Sequence, residues 1–275
     1  MLTLQKTINI MKFALIDGMK TKATKGAKGI CQCCGSGVYA KCGPIRIHHW
    51  AHEPKSKCKS VKEGETRWHR AWKENYPESW QEIKFPDDGT GTWHVADIKT
   101  EYDLVIEFQH SHISPKNRSK RESFYQNMIW VVDGTRLEND YSRFLKGLTK
   151  LQETQNEHIY SIETPHKYFN SSWLNSSVPV IFDFLGTKSL DINDDPRTYL
   201  FCLLPFKDSS RAEILILPRD AFIQYTKEGK LFKKKEIKII HSIKTRVLVR
   251  ATTRRRESTH YLDPKRGVFR KKRRF

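Results

Sequence analysis

The central part of the chain has a spacing of apolar and polar residues that predicts one amphipathic helix followed by three strands. In residues 63–76, Trp68 and Trp72 recur one helical turn apart beside a polar side, as in a helix with one buried face. Pro77 ends this helix, because the residue before a proline avoids the α conformation. The three strands are predicted at residues 80–85, 92–98 and 104–109.

The last two of these strands are joined by a short polar link, which predicts an antiparallel hairpin. Apolar residues of the third strand alternate with Glu107 and Gln109, so these two side chains lie on the face opposite the apolar one. With a turn near Thr100, Glu107 is expected opposite the neighbourhood of Val95, and Asp97 is its diagonal neighbour on the same face. The hairpin is therefore predicted to bring Asp97, Glu107 and Gln109 together on one side of the sheet.

A second helix and a buried strand complete this part of the chain. Ser114 and Pro115 provide an N-cap and a proline in the first turn, which predicts a helix that ends near residue 127. The apolar run at 128–132 predicts a strand. The order helix, strand, hairpin, helix, strand predicts an α/β fold with a mixed sheet.

The C-terminal half has several short apolar runs that predict a β-rich domain. Residues 150–176 are polar and are interpreted as partly linker. The chain is therefore divided into an N-terminal segment at 1–60, an α/β domain at 61–150 and a β-rich domain at 151–275. The strands of the last domain are predicted at 178–184, 198–204, 213–217, 236–241 and 245–249, with a short helix at 218–225.

The charge of the protein indicates a polyanionic partner. Lysine and arginine number 50 against 31 aspartate and glutamate residues in a chain of 275, a formal charge of +19. A basic surface attracts phosphate and releases counterions on binding, so nucleic acid is the first candidate and an anionic membrane surface the rival. No apolar run reaches the roughly 18 residues of a transmembrane helix. Lys12 interrupts the apolar run near the N-terminus, so no secretory signal is predicted and a cytoplasmic location is expected.

Clusters of basic residues are concentrated near the C-terminus. They fit a solvated disordered tail, a surface for non-specific phosphate attraction, or a nuclear address, and the sequence leaves these three interpretations open. The clusters are Arg254-Arg255-Arg256, Lys265-Arg266 and Arg270-Lys271-Lys272-Arg273-Arg274.

Five of the six cysteines lie in one short segment, where their spacing predicts a zinc site. Cys31 and Cys34 form a Cys-x-x-Cys step that lets two thiolates reach one tetrahedral ion. Cys58 and one histidine complete the four ligands of a structural zinc; His52 is preferred, with His49 as the alternative. A polar segment this short cannot bury a core alone, which favours a zinc module over unliganded thiols. The other cysteines are Cys33 and Cys42, as surplus or alternative ligands, and Cys202, as a buried apolar residue.

Two carboxylates held close together in a strongly basic protein indicate a divalent metal. Asp97 and Glu107 provide the oxygen ligands that Mg²⁺ prefers, alongside water and the phosphate oxygens of a substrate. The alternative is that both are ordinary acidic residues on a solvated strand face. The same choice applies to Glu65, His69 and Lys73, which recur at every fourth position and share one face of the predicted helix.

These motifs, in this order, resemble the competence protein CoiA-like family, a branch of the PD-(D/E)xK nuclease superfamily. The resemblance covers residues 25–135. Each motif alone is short, but the ordered set is fairly specific. In chain order the matching motifs are the Cys-x-x-Cys step followed by His49-Trp50-Ala51-His52, Glu65-x-x-x-His69-x-x-x-Lys73, Ala96-Asp97, Ile106-Glu107-Phe108-Gln109, His110-Ser111-His112-Ile113-Ser114 and the stretch 121–125.

The resemblance implies a restriction-endonuclease-like mixed sheet flanked by helices, with a small zinc module before it and a β-rich C-terminal domain after it. Carried over residue by residue, Asp97 and Glu107 would hold Mg²⁺ or Mn²⁺, and Glu65 would complete the site from the helix.

One position departs from the superfamily's pattern. Gln109 stands where the superfamily usually has a lysine, and glutamine brings no charge to the phosphate. Lys73 or His69, on the same predicted helix face as Glu65, are the candidates for supplying the missing cation.

The resemblance therefore implies a Mg²⁺-dependent DNA endonuclease in DNA uptake or recombination, with zinc serving structure, and defence against foreign DNA fits these residues equally. The alternative is a non-catalytic, zinc-containing DNA- or RNA-binding adaptor with a silent nuclease fold. The sequence leaves open whether the DNA is single- or double-stranded. A membrane partner is not expected, and the C-terminal domain is a candidate surface for a homodimer or a partner protein.

Overall fold

A computed structural model of the protein describes residues 11–45, 47–53, 58, 65–87, 89, 92–156, 159–187, 195–205, 210–231, 260–263 and 268–271. The mixed α/β fold predicted from the sequence is confirmed. The chain forms two compact units, Met1–Ile113 with Ser123–Asp133, and Ser114–Glu122 with Gly134–Phe275. This division differs from the three predicted segments: residue 60 falls inside the first unit, and the change to the second unit follows Asp133 instead of residue 150.

The first unit begins with a small antiparallel sheet that the sequence pattern did not predict, because its strands are short and polar. Its core contains Ala14, Val38 and Trp50, each almost fully buried. A Cβ atom at Gly29 would lie 2.9 Å from the Leu15 carbonyl oxygen, so the close approach of the two paired strands at this position requires glycine. The strands, in the sheet order β2-β1-β3-β4-β5, are β1 Phe13–Ile16, β2 Met19–Lys22, β3 Lys28–Ile30, β4 Gly37–Lys41 and β5 His49–His52.

The second part of the first unit contains the predicted helix and four neighbouring strands of a mixed sheet. These elements are α1 Arg67–Lys73, β6 Gln81–Asp87, β7 Thr92–Lys99, β8 Val105–Gln109 and β9 Met128–Asp133. Strands β6, β7 and β8 are antiparallel neighbours, and β8 pairs in parallel with β9. Helix α2, Pro115–Tyr125, connects β8 to β9, as the parallel pairing of those strands requires, and most of its residues belong to the second unit.

Aromatic packing fixes helix α1 against strand β8. The Trp72 ring stacks on the Phe108 ring at 5.6 Å, and the Trp68 ring meets the same ring edge-on at 6.1 Å. All three side chains are buried. The apolar side that the sequence predicted for this helix is therefore its contact with the sheet, and it sets where the polar residues of α1 lie.

The second unit is β-rich, as predicted. Its elements are α3 Glu138–Leu148, β10 Gln152–Glu153, β11 Ile159–Glu163, β12 Val180–Asp183, β13 Tyr199–Leu203, β14 Arg211–Pro218 and α4 Arg219–Lys227, with a separate hairpin of β15 His260–Asp263 and β16 Val268–Lys271. Five of these strands are antiparallel neighbours in the order β10-β11-β14-β13-β12. The fully buried Cys202 lies on β13, and burial raises the pKa of its thiol.

The interpretation of residues 150–176 as partly linker is wrong. They contain β10, β11 and two short 3₁₀ helices, and they bury Phe169 and Trp173. The Phe169 ring lies 5.5 Å from that of Phe144 on α3, a helix that the sequence analysis also missed. Polar residues dominate this stretch, but its few aromatic residues supply the contacts with the core.

Parts of the C-terminal predictions lie outside the described residues. These are the strands predicted at 236–241 and 245–249 and most of the basic clusters. Arg270 and Lys271 lie on strand β16. In the described parts of the chain, no helix is both long and apolar enough to cross a membrane.

Candidate functional site

The structure brings the four predicted zinc ligands together. Cys31, Cys34, His52 and Cys58 each offer one ligand atom, and these atoms all lie within 4.8 Å of one another. The two sulfurs of Cys31 and Cys58 are 4.0 Å apart, and the Cys34 sulfur is 3.3 Å from His52 Nε2. Ligands of one tetrahedral zinc, with bonds of about 2.0–2.3 Å, must lie at about these separations. The group can therefore bind a structural zinc ion.

The loop between the first two cysteines is shaped for this group. The Gly35 N–H donates to the Cys31 carbonyl at 3.0 Å, and Gly35 has a φ of 70°, which a glycine adopts without strain. Hydrogen bonding with Cys33 and burial raise the pKa of the Cys31 thiol to about 12, so zinc must displace a proton there. The alternative ligand His49 lies outside the group, with its Nδ1 donating to the Ile47 carbonyl at 2.7 Å.

Three acidic residues lie at matching positions on the three adjacent strands β6, β7 and β8. The pairs Gln81–Ile98 and Ile83–Ala96 place Glu82 across from Asp97. On the other side of β7, the pair of Ile98 with Ile106 places Glu107 across from Asp97. We call Glu82, Asp97 and Glu107 the acidic row.

The register of the β7–β8 hairpin differs from the predicted one. Glu107 lies across from Asp97 itself, whereas a turn near Thr100 predicts it opposite the neighbourhood of Val95, with Asp97 as its diagonal neighbour. The ladder opens beyond this point, and Asp97 Oδ2 accepts a hydrogen bond from the Phe108 N–H at 3.1 Å. The carboxylate thus takes over a backbone hydrogen bond, which fixes its orientation.

Glu82 was not among the predicted site residues. Its φ of 50° lies in the left-handed region, where a residue with a side chain is strained by about 1–3 kcal/mol. Gln81 and Glu82 are both buried although they are consecutive in the strand, so the usual alternation fails here. The Gln81 amide donates to the carbonyls of Lys73 and Tyr76 at 2.9 and 2.8 Å. These two hydrogen bonds connect the start of strand β6, next to the strained Glu82, to the C-terminal end of α1 and the residues just after it.

The Lys73 ammonium group lies among three carboxylates. Its Nζ is 2.8 Å from Glu65 Oε1, 3.0 Å from Glu82 Oε1 and 3.3 Å from Asp97 Oδ1. The Lys73 side chain is only 2% exposed. Lys73 therefore does not point to solvent. The alternative interpretation, a solvated residue on the surface of the helix, does not apply to it.

The surroundings of Lys73 keep it charged. Burial alone would lower the pKa of this amine, but Glu82, Asp97 and Glu65 raise it well above its ordinary value. A lysine that stays protonated cannot accept a proton from water, so it can act as a fixed positive charge and not as a base.

Glu65 belongs to the same group, although it precedes helix α1 instead of lying on it. The helix was predicted from residue 63, but Thr66 is its N-cap and Arg67 its first residue. The second Glu65 oxygen accepts a hydrogen bond from Arg70 Nε at 2.8 Å. Arg70 also donates to the carbonyl of His48, next to strand β5, at 2.8 Å. Arg70 thus links the candidate site to the sheet that carries the zinc ligand His52.

His69 does not supply the missing cation. Its Nε2 donates to the Phe108 carbonyl at 2.9 Å, and its Nδ1 accepts from the backbone N–H of Thr66 at 3.3 Å. Burial lowers the pKa of the imidazole, so it stays neutral near pH 7. His69 caps the helix and fastens it to β8, which is a structural role.

The remaining predicted residues, Glu107 and Gln109, are buried on strand β8 at 3% and 2% exposure. A solvated strand face therefore does not describe them. The Gln109 amide donates to the Ser111 carbonyl at 3.0 Å, so this side chain bonds to the chain just beyond the strand.

Comparison with known proteins identifies a family likeness for the first part of the chain. Residues 17–61 match the family model of the competence protein CoiA, N-terminal domain. This segment contains the four candidate zinc ligands, and the match supports a CoiA-like family for this part of the protein. No curated protein and no solved structure matches the chain. The acidic row lies beyond the matched segment.

Replacement of Lys73 by methionine should lower the free energy of unfolding by about 3–5 kcal/mol, because it leaves buried carboxylates without their cation. Chemical denaturation of the wild type and the variant measures this difference. Lys120→Met, at an exposed position of helix α2, is the matched control and should change stability by less than about 0.5 kcal/mol. The double variant Lys73→Met, Glu82→Gln should lose less than the sum of its single variants, since the two residues share one ion pair.

The same denaturation series tests the protonation of Lys73. The pKa of Lys73 is higher in the folded than in the unfolded protein. Its contribution to the free energy of unfolding is therefore complete at pH values below the ordinary pKa of 10.5 and is lost only as the pH rises above that value. The stability difference between wild type and Lys73→Met should therefore be constant from neutral pH to about pH 10. A Lys73→Met variant as stable as Lys120→Met, or a difference that disappears near pH 8, would contradict the assigned ion pairs.

Proposed function

We propose that this protein is a metal-dependent DNA endonuclease whose active site is the acidic row with Lys73. The observation that carries the proposal is the placement of the buried Lys73 amine 3.3 Å from Asp97, the central member of the acidic row. A purely structural sheet gains nothing from three acidic residues at matching positions on three strands, because like charges on neighbouring strands destabilise it.

The charges of the group fit a divalent cation. With their carboxylates ionised, the acidic row and Glu65 bring four negative charges, while Lys73 and Arg70 bring two positive ones. Two negative charges remain, which one Mg²⁺ or Mn²⁺ would neutralise. Asp97 and Glu107 would hold the ion, and when bound it would polarise the scissile phosphate and lower the pKa of a bound water. Glu65, whose two oxygens already contact Lys73 and Arg70, would serve the site by holding those cations.

Lys73 takes the role of the lysine that is absent at position 109. Its fixed charge would stabilise the negative charge that develops on the phosphate during attack by water. Gln109, two residues beyond Glu107 on β8, would help to place that water or the phosphate. This proposed division of roles is supported by the position of the Lys73 ammonium group, which contacts Asp97 from helix α1 and not from strand β8.

The rest of the protein supports a nucleic-acid substrate. The formal charge of +19 favours a polyanion, and the attraction of a phosphate backbone needs no particular base sequence. The likeness of residues 17–61 to the CoiA N-terminal domain suggests a role in competence, in which incoming DNA is processed. In this proposal zinc stabilises the first sheet and takes no part in the reaction.

A cleavage assay tests the proposal. Purified protein is incubated with supercoiled plasmid and with a single-stranded oligonucleotide, each with Mg²⁺, with Mn²⁺ and with a chelator of divalent ions. We expect nicked or linear products that require Mg²⁺ or Mn²⁺, and an Asp97→Asn preparation purified in the same way controls for contaminating nucleases. Absence of cutting with either metal on either substrate would overturn the nuclease assignment.

The alternative function is a DNA- or RNA-binding adaptor with a silent nuclease fold. Gln109 favours it, because glutamine stands where the superfamily has a catalytic lysine and bonds to Ser111. Binding measured at several salt concentrations separates the two functions. Salt-dependent binding together with no cutting identifies the adaptor, whereas an active nuclease shows both.

A further inference from the structure

A histidine–aspartate pair lies at the ends of strands β8 and β9, one residue beyond Gln109 and Val132, and has no part in the function described above. His110 Nδ1 and Asp133 Oδ2 are 2.7 Å apart. The Asp133 side chain is 3% exposed, whereas that of His110 is 36% exposed. A buried carboxylate therefore holds one nitrogen of an imidazole whose other side reaches the surface.

The position of the pair connects it with the site. Gln109 and Val132 are register partners at the ends of the parallel strands β8 and β9, and His110 and Asp133 are the next residues on each strand. The His110 ring lies 6.2 Å from the His69 ring on α1, the helix that carries Lys73. His110 is thus the exposed group where the acidic strand β8 leaves the sheet.

The two histidines differ in what their nitrogens can do. His69 uses both nitrogens in contacts within the protein, so it has none left for a substrate. His110 binds Asp133 through Nδ1, and of the described residues none bonds its Nε2. A carboxylate on Nδ1 fixes the orientation of the ring. In its protonated form, such a ring can donate a proton from Nε2.

We propose that His110 is the general acid of the cleavage reaction and that Asp133 positions it; this inference rests on the proposed nuclease function. Water attacks phosphorus, the new P–O bond forms, and the bond to the leaving nucleoside oxygen breaks. The leaving oxygen takes the proton from His110 Nε2, and the proton lost by the attacking water passes to solvent. His110 is left neutral and is protonated again from solvent.

The test compares two substrates that differ in their leaving group. A DNA phosphodiester needs a proton on its leaving oxygen, whereas p-nitrophenolate leaves bis(p-nitrophenyl) phosphate without one. For His110→Gln we expect DNA cleavage to fall by about 10²-fold or more, the range of a general acid, while hydrolysis of the aryl diester changes by less than about threefold. Asp133→Asn should show the same selective loss to a smaller degree, because it acts through the position and charge of His110.

His112→Gln, which changes an exposed histidine two residues farther along, is the matched control and should cleave both substrates like the wild type. If His110→Gln loses cleavage activity equally on both substrates, or loses none on DNA, the role of His110 is overturned while the nuclease assignment stands. A wild-type protein that cleaves neither substrate overturns both. Thermal melting of each variant shows whether it is folded, and His110→Ala serves as a second variant if His110→Gln is not.

Discussion

Asp97→Asn should abolish metal-dependent DNA cleavage, with a loss of about 10³-fold or more. Asp97 is the centre of the acidic row and one of the two proposed metal ligands. Loss of its charge removes several kcal/mol of transition-state stabilisation, and each 1.4 kcal/mol is about tenfold in rate. The rate of plasmid nicking at saturating Mg²⁺ measures this effect. Glu107→Gln should behave in the same way.

The substitution is chosen so that the fold survives. Asparagine keeps an oxygen that can accept the hydrogen bond from the Phe108 N–H, and Lys73 retains Glu65 and Glu82 as partners. DNA affinity should change little, because it arises from many basic residues.

Asp103→Asn is the matched control for this variant. Asp103 lies in the turn of the same hairpin with an 80% exposed side chain, and asparagine tolerates its φ of 63°. It should cut DNA like the wild type. Cleavage by Asp97→Asn at the rate of Asp103→Asn would remove the active site from the acidic row.

Cys58→Ser and Cys34→Ser should each lower thermal stability and solubility strongly. A zinc module has little core of its own, so the free energy of metal binding is largely free energy of folding, about 10–16 kcal/mol in isolated zinc-finger peptides. The wild type should contain about one zinc per chain by elemental analysis, as four protein ligands require. A strong chelator should lower its melting temperature toward that of the variants.

Cys42→Ser is the control for the zinc prediction. Cys42 lies outside the four-residue group, and its thiol donates to the Ala23 carbonyl at 3.5 Å, a bond that serine can also make. It should keep both zinc content and stability. A purified protein without metal that is as stable as the zinc-loaded protein would show that the four residues have another role.

A loss of stability at the zinc module should also destabilise the ion pairs of the candidate site. Strand β5 carries the ligand His52, and the carbonyl just before this strand, that of His48, accepts the hydrogen bond of Arg70. Arg70 holds Glu65, which in turn holds Lys73. Bound zinc would therefore stabilise the sheet that anchors this chain of ion pairs.

The features that depend on local spacing were predictable from the amino-acid sequence. The Cys-x-x-Cys step and the nearby His52 and Cys58 lie within a short segment, so their ligand geometry follows from a few turns of chain. The order of helix, hairpin and strands was predictable because each element has its own period of apolar residues. The apolar side of α1, with Trp68 and Trp72, is where the sequence placed it.

Which polar residues lie together depends on the folded structure and could not be predicted from the sequence. Register is set by contacts between strands. A shift of the hairpin by two residues keeps every side chain on its predicted face. The sequence pattern therefore fits either Val95 or Asp97 as the neighbour of Glu107, and the structure has Asp97 there. Glu82 joins the acidic row through a left-handed backbone conformation that nothing in its local sequence demands. The charge of Lys73 depends on three carboxylates from three separate segments of the chain. Such interactions between distant segments form only when the core packs. Packing brings the charged groups together and removes the water that would weaken the attraction between them.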